Sequence, residues 1–183
     1  AAEQHRVFAP HPGRRIVLRS PMDPKLIDPL AYFLTWSCYG QRLHGDDRGT
    51  VDDTETRFGA PVLEHDAERR RHAKAALKSP PVTLDTAMRN VVASTIEEVC
   101  AFRRWTLYAM NVRTTHVHVV LSCAGPPEPP LMQFKAWSTR RLREAGLASA
   151  DQRIWVHHGS TRYVWNREGL EGAIVYVRDM QDQ

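Results

Sequence analysis

Cysteine is scarce in this chain and scattered. Cys38, Cys100 and Cys123 are the only three in 183 residues. They are odd in number, far apart and without a C-x-x-C pair, which excludes a disulfide framework and a structural zinc site and implies a reducing, cytoplasmic setting. Long apolar runs are missing as well. Nothing approaches the ~20 residues of a membrane span, and the opening AAEQHRVFAPHPGRR lacks the apolar stretch of a signal peptide, so a soluble, non-exported protein with no membrane partner is expected. There are no internal repeats, and the chain is shorter than the roughly 200 residues a (β/α)₈ barrel needs, which removes the barrel hydrolases that also carry an H-x-H. Neither sign of charge dominates: 25 Lys+Arg against 21 Asp+Glu leave +4, compatible with an anionic partner without requiring one. With 42% hydrophobic residues the chain is globular, of a size for one domain.

Prolines and scattered charges make residues 1–30 an irregular N-terminal arm, and the ordered domain is expected over 31–183. Residues 31–39 (AYFLTWSCY) are apolar, aromatic and β-branched, the composition of a buried strand. Residues 40–62 are polar and glycine-bearing and read as a long excursion, including the acidic turn Gly45-Asp46-Asp47-Arg48-Gly49. A basic helix follows over 64–78, stopped by Pro80 and Pro81. Residues 83–103 read as a second helix with Asp85 near its start and an apolar stripe of Met88, Val91, Val92, Thr95, Ile96, Val99 and Phe102. Two strands, 105–112 and 115–122, form a hairpin, and AGPPEPP at 124–130 reads as an extended breaker. A helix over 131–144, a strand over 160–165 and a closing helix over 167–181 complete the order. With the excursion collapsed this is βαββαβ, a ferredoxin-like, RRM-like α+β arrangement: an antiparallel sheet with helices on one face, plus a closing C-terminal helix. That fold hosts many functions and decides none.

The sharpest chemical feature is Thr115-His116-Val117-His118-Val119. In a strand His116 and His118 share one face, while Val117 and Val119 point to the other. Two neutral imidazoles on one patch can hold a divalent metal, or can be half-exposed histidines satisfied by hydrogen bonds. On the closing helix Leu170, Ala173, Ile174 and Val177 form the apolar face, and Tyr176 falls about 120° round from Leu170, at its flank. A tyrosine hydroxyl there is a boundary residue or a nucleophile for phosphoryl transfer. His157-His158, adjacent in an extended segment, should face opposite ways and not share an ion. A two-histidine phosphoesterase needs a second H-x-[ST] motif; His158-Gly159-Ser160 is the only match.

Over roughly residues 31–183 the chain resembles the single-tyrosine HUH transposases, in particular the REP-associated tyrosine transposases. The resemblance rests on YFLTWSCYGQRLHGDDRG, on His116-Val117-His118, and on GSTRYVW followed by a helix ending YVRDMQ. It implies a divalent-metal-dependent (Mg²⁺ or Mn²⁺) endonuclease and strand transferase acting on single-stranded DNA near hairpins. His116 and His118 would hold the metal, and Tyr176 would attack a backbone phosphate to give a 5′-phosphotyrosine and a free 3′-OH. The family's polar residue one turn after the tyrosine, usually Gln, would be the third ligand. Here Met180 stands four residues on and Gln181 five on, about 140° round from Tyr176, with Asp179 as the substitute. Relatives act as self-contained monomers or as homodimers.

The basic sets Arg69, Arg70, Arg71, Lys74 and Lys135, Arg140, Arg141, Arg143 can contact phosphates or simply be solvated. Among the aromatics, Trp36 and Trp105 are expected in the core, and Trp137 and Trp155 exposed for stacking on unpaired bases. The competing reading is a non-catalytic ferredoxin-like nucleic-acid-binding regulator, supported by Met180.

Overall fold

A computed structural model of the chain describes residues 28–41 and 66–179. Nearly all of the arm at 1–30, the acidic turn at 45–49, Met180 and Gln181 lie outside them, as do the side chains of Arg69 and Arg70. The elements are β1 (Ala31–Ser37), α1 (Ala67–Ala75), α2 (Thr86–Arg103), β2 (Thr106–Val112), β3 (His116–Ser122), α3 (Glu128–Glu144), β4 (Ser160–Val164) and α4 (Arg167–Asp179). The strands form one antiparallel sheet in the order β2-β3-β1-β4, the order expected of a ferredoxin-like α+β fold. No described helix is long and apolar enough to cross a membrane.

Strand alternation divides the apolar residues between two layers. On one face Tyr32, Leu34 and Trp36 of β1 and Val117, Val119 and Leu121 of β3 pack with Met88, Val92 and Ile96 of α2 and Leu131, Phe134 and Leu142 of α3. Trp36 stacks on Phe134 at a centroid distance of 6.1 Å and meets Trp155 edge-on at 6.1 Å. On the opposite face Ala31, Phe33, Ala109, Val120 and Val164 pack with Val177, Leu170, Ala173 and Ile174 of α4. The closing helix therefore covers the reverse of the sheet from α2 and α3, with the apolar face that its 3.6-residue spacing defined.

Local chemistry sets the ends. Asp85 caps α2 by accepting from the Met88 N–H at 2.8 Å. The expected breaker at 124–130 is instead partly helical: α3 begins at Glu128, with Pro129 and Pro130 in its first turn. First-turn N–H groups have no intrahelical acceptor, so proline there removes nothing. Phe102, expected in the buried stripe, is 82% exposed. The buried arc of α2 runs through Ile96 and Cys100, leaving Phe102 at its margin beside Arg103.

Candidate active site

β3 places His116 and His118 on the α4 face, opposite Val117 and Val119, as the alternation requires. Their rings meet edge-on with centroids 4.7 Å apart. Across β1 the register puts Ser37 beside His116 and Thr35 beside His118. Thr35 Oγ1 lies 2.8 Å from His118 Nδ1, and Thr115 Oγ1 lies 3.0 Å from His116 Nδ1. Where the hydroxyl accepts from Nδ1–H, the imidazole carries its lone pair on Nε2, the nitrogen a metal would take. Each imidazole is thus oriented by a hydroxyl, the arrangement a metal-ligating histidine uses.

α4 brings Tyr176 to the same place. Its ring stands 5.9 Å from His118 and 5.8 Å from Phe33, edge-on to both, while Phe33 lies 5.5 Å from His118. His118 is buried and Tyr176 is 42% exposed, so the imidazole is held in the sheet while the tyrosine stays accessible at its flank. The helix is tied down beside them: Asn111 of β2, paired in register with His118, donates from Nδ2 to the Val177 carbonyl at 3.0 Å. The apolar side of α4, capped by fully buried Val177, fixes the rotation that leaves Tyr176 at the flank. A groove of about 740 Å³ opens from His118 and Tyr176 towards β4, bordered by Thr35, Arg162 and Trp165.

Thr35 and Asn111 are residues of the candidate site that sequence reasoning missed. Both are ordinary strand residues locally, and only the register sets them beside His118. Among the described residues no group of three or more His, Cys, Asp or Glu is placed to hold a metal ion, so Asp179 does not join the histidine pair. Gln181 lies outside the described residues.

The basic residues of α3 are on the other side of the sheet, since Phe134 and Leu142 of the same helix pack against Trp36 and Val117. Lys135 Nζ donates to the carbonyls of Val156 (2.6 Å) and His157 (2.8 Å), and half-burial lowers its pKa. Arg140 pairs with Glu144 at 2.7 Å and Arg141 with Glu98 at 3.0 Å, while Arg143 donates to the Ser149 and Gln152 carbonyls. Arg71 and Lys74 are exposed on α1. Trp137 is 41% exposed, with the Arg140 guanidinium over its ring at 5.4 Å.

Two expectations fail here. Trp155 is buried: its segment bridges to Cys38, and its indole N–H donates to the Lys135 carbonyl at 3.1 Å. His157 and His158 do not face opposite ways but sit with rings 4.4 Å apart and Nδ1···Nε2 at 3.1 Å. The Lys135 ammonium gathers the carbonyls of this segment, so it does not run extended.

No family model matches the chain, and no curated protein does. Among solved structures it is similar to a REP-associated tyrosine transposase bound to a REP hairpin, with 13% identity and a TM-score of 0.49 over 87% of this chain and 70% of that one. It is also similar to a candidate transposase from Deinococcus radiodurans R1, with 14% identity and a TM-score of 0.42 over 79% of this chain and 86% of that one. Likeness this remote says nothing of chemistry, which the side chains themselves must carry.

Proposed function

We propose that the protein is a transposase-like DNA-processing enzyme that cuts and rejoins a single DNA strand through Tyr176. The observation that carries this reading is the convergence of a hydroxyl-oriented histidine pair and a half-exposed tyrosine on one face of the sheet, with His118 and Tyr176 5.9 Å apart. The three meet within a single chain, so the site as proposed needs no tyrosine from a second copy.

In this reading His116 and His118 hold a divalent cation, Mg²⁺ or Mn²⁺, through imidazole nitrogens. The fit to the described residues is two donors held rigid by Thr115 and Thr35, with Gln181 the proposed third. When bound, such a cation draws charge from the phosphate oxygens. Tyr176 Oη attacks a backbone phosphorus, the new bond is phosphorus to tyrosine oxygen, and the bond broken is phosphorus to the 3′ oxygen. The phenol proton is lost and the departing 3′ oxygen gains one. The 5′-phosphotyrosine keeps the phosphodiester energy, so a 3′-OH can reverse the step without ATP. Hairpin DNA is the proposed substrate, with the cut in the adjoining single strand.

The test is covalent attachment of the protein to labelled hairpin oligonucleotides with single-stranded flanks, resolved on a denaturing gel with Mn²⁺ or with EDTA. Wild type with Mn²⁺ should give a slow-migrating adduct, and EDTA or Tyr176→Phe should remove it. His118→Ala should reduce it by about 10²-fold or more, the scale of losing one electrostatic stabiliser of the transition state. An adduct that persists in Tyr176→Phe sinks the assignment. Absence of any adduct with DNA binding intact would favour the non-catalytic regulator.

A further inference from the structure

The groove beside Tyr176 has a composition of its own. Register with β1 puts Ser160, Arg162 and Val164 of β4 on the α4 face, opposite Thr35, Phe33 and Ala31. Arg162 is exposed and borders the groove, and among the described residues no carboxylate lies within ion-pairing distance of its guanidinium. Among the described residues no Asp or Glu lines the groove. Its charge contrasts with that of α3, where Arg140 and Arg141 are each neutralised by a glutamate. On α4 the bordering residues include Gly169, Gly172 and Ala173, and a Cβ on Gly172 would meet nothing within 4 Å, so the wall stays low.

At the sheet edge, where Trp165 borders the groove, two aromatic rings are already stacked, although Tyr163 alternates with Arg162 and lies on the α2–α3 side of β4 against Tyr32. Tyr163 and Trp165 lie 5.6 Å apart and 13° from parallel, yet are 46% and 56% exposed. Tyr163 is braced edge-on at 5.3 Å by Tyr32, which is itself buried and anchored through its hydroxyl to the Gly125 carbonyl at 2.6 Å. Tyr163 is therefore held in place as the backing of Trp165. It sits on β4, the sheet's edge strand. An exposed guanidinium with no carboxylate beside it among the described residues, an indole backed by a second ring and about 740 Å³ of space are the recognition elements of an unpaired nucleotide. A duplex does not offer its base faces to such a platform.

We infer that the β4–α4 groove is the path of the unpaired DNA strand: a base stacks on the Trp165 indole at the sheet edge, Arg162 holds the adjoining phosphate, and the chain continues to Tyr176. The identity of the strand rests on the proposed function; the groove's own chemistry fixes the contacts. Arg162 and Trp165 are thus positioning residues, and the basic face of α3 is not the binding surface.

Binding to fluorescein-labelled oligothymidylate, followed by anisotropy in EDTA over a range of salt, tests this independently of cleavage. Arg162→Ala should weaken binding about tenfold and lower the slope of log affinity against log salt by about 0.7, the value of one single-strand phosphate contact. Arg162→Lys should recover the slope. Trp165→Ala should weaken binding by about tenfold with the slope unchanged. Arg140→Ala should match wild type, and duplex DNA or oligouridylate should compete more weakly than the thymidylate strand. The inference is overturned if wild type does not bind, if the Arg162 and Trp165 variants bind like wild type, or if Arg140→Ala weakens binding as much as they do. Tighter binding of the duplex or of oligouridylate overturns it too. Loss of the covalent adduct in wild type, with these binding effects present, would strike the proposed chemistry and leave the groove assignment standing.

Discussion

A threonine on the neighbouring strand orients His118. Thr35 was part of an apolar strand pattern, and nothing near it in sequence pointed to a role. The 2.8 Å contact between its hydroxyl and His118 Nδ1 exists because antiparallel register sets residue 35 against residue 118. Valine keeps the shape of threonine and removes the hydroxyl. Thr35→Val should therefore leave the fold intact at a cost of about 1–2 kcal/mol. It should lower metal-dependent adduct formation about 10- to 100-fold, the usual effect of losing an outer-shell partner. Denaturant unfolding and the adduct gel measure the two, and an undiminished adduct would show that the hydroxyl does not orient the ring. His116 and His118 themselves were legible, since a period of two is a property of any strand. Their partners were not, since register is a long-range property.

Helix α2 ends at an unusual residue. Arg104 caps it in the left-handed conformation, φ 58°, with its backbone N–H directed to the Cys100 and Ala101 carbonyls. A side chain strains that conformation and glycine does not. Arg104→Gly should raise stability by up to about 1 kcal/mol after the entropy gained by the unfolded chain is discounted. For a chain of this size that is about 2–4 °C in Tm by thermal melt; a lower Tm would mean the Arg104 side chain contributes more than the strain costs. The end of α2 was readable from the strand composition that follows, whereas the cap conformation was hidden because arginine does not announce it. The start of α3 was hidden for the opposite reason: its prolines signal a break, yet they occupy the one turn of a helix that tolerates them.

Burial of thiols gives the whole molecule an alkaline limit. Burial raises Cys38 from 9.0 to about 12 and Cys100 from 9.0 to about 11. In the unfolded chain these thiols ionise near pH 9, while the folded core holds their protons. Their stabilisation is thus complete below about pH 9 and is lost as pH rises towards 11–12, by about 1.4 kcal/mol per pH unit for each thiol. Lys135 runs the other way, because burial lowers its pKa and favours the folded state as it deprotonates. Urea unfolding at about pH 8 and about pH 10, in wild type and Cys38→Ala, separates the contributions. The variant should lose less stability over that interval, and equal losses would remove Cys38 as a cause.

By itself the sequence determined what repeats over short distances. The alternation through β3 put two histidines on one face, and the 3.6-residue spacing of α4 put Tyr176 at the flank of its apolar side. The run of apolar and polar segments set the order βαββαβ. Each follows from the geometry of a single element. The tertiary structure decided which faces meet. The strand order β2-β3-β1-β4 and the division of apolar residues into two layers put α4 on the reverse of the sheet from α2 and α3. That carried Tyr176 to His118 and left Arg162 and Trp165 beside them. It also separated the basic helix α3 from the site, and internal carbonyls and glutamates took up its charges. No local spacing encodes these outcomes, because they depend on the packing of whole faces and on contacts between residues far apart in the chain.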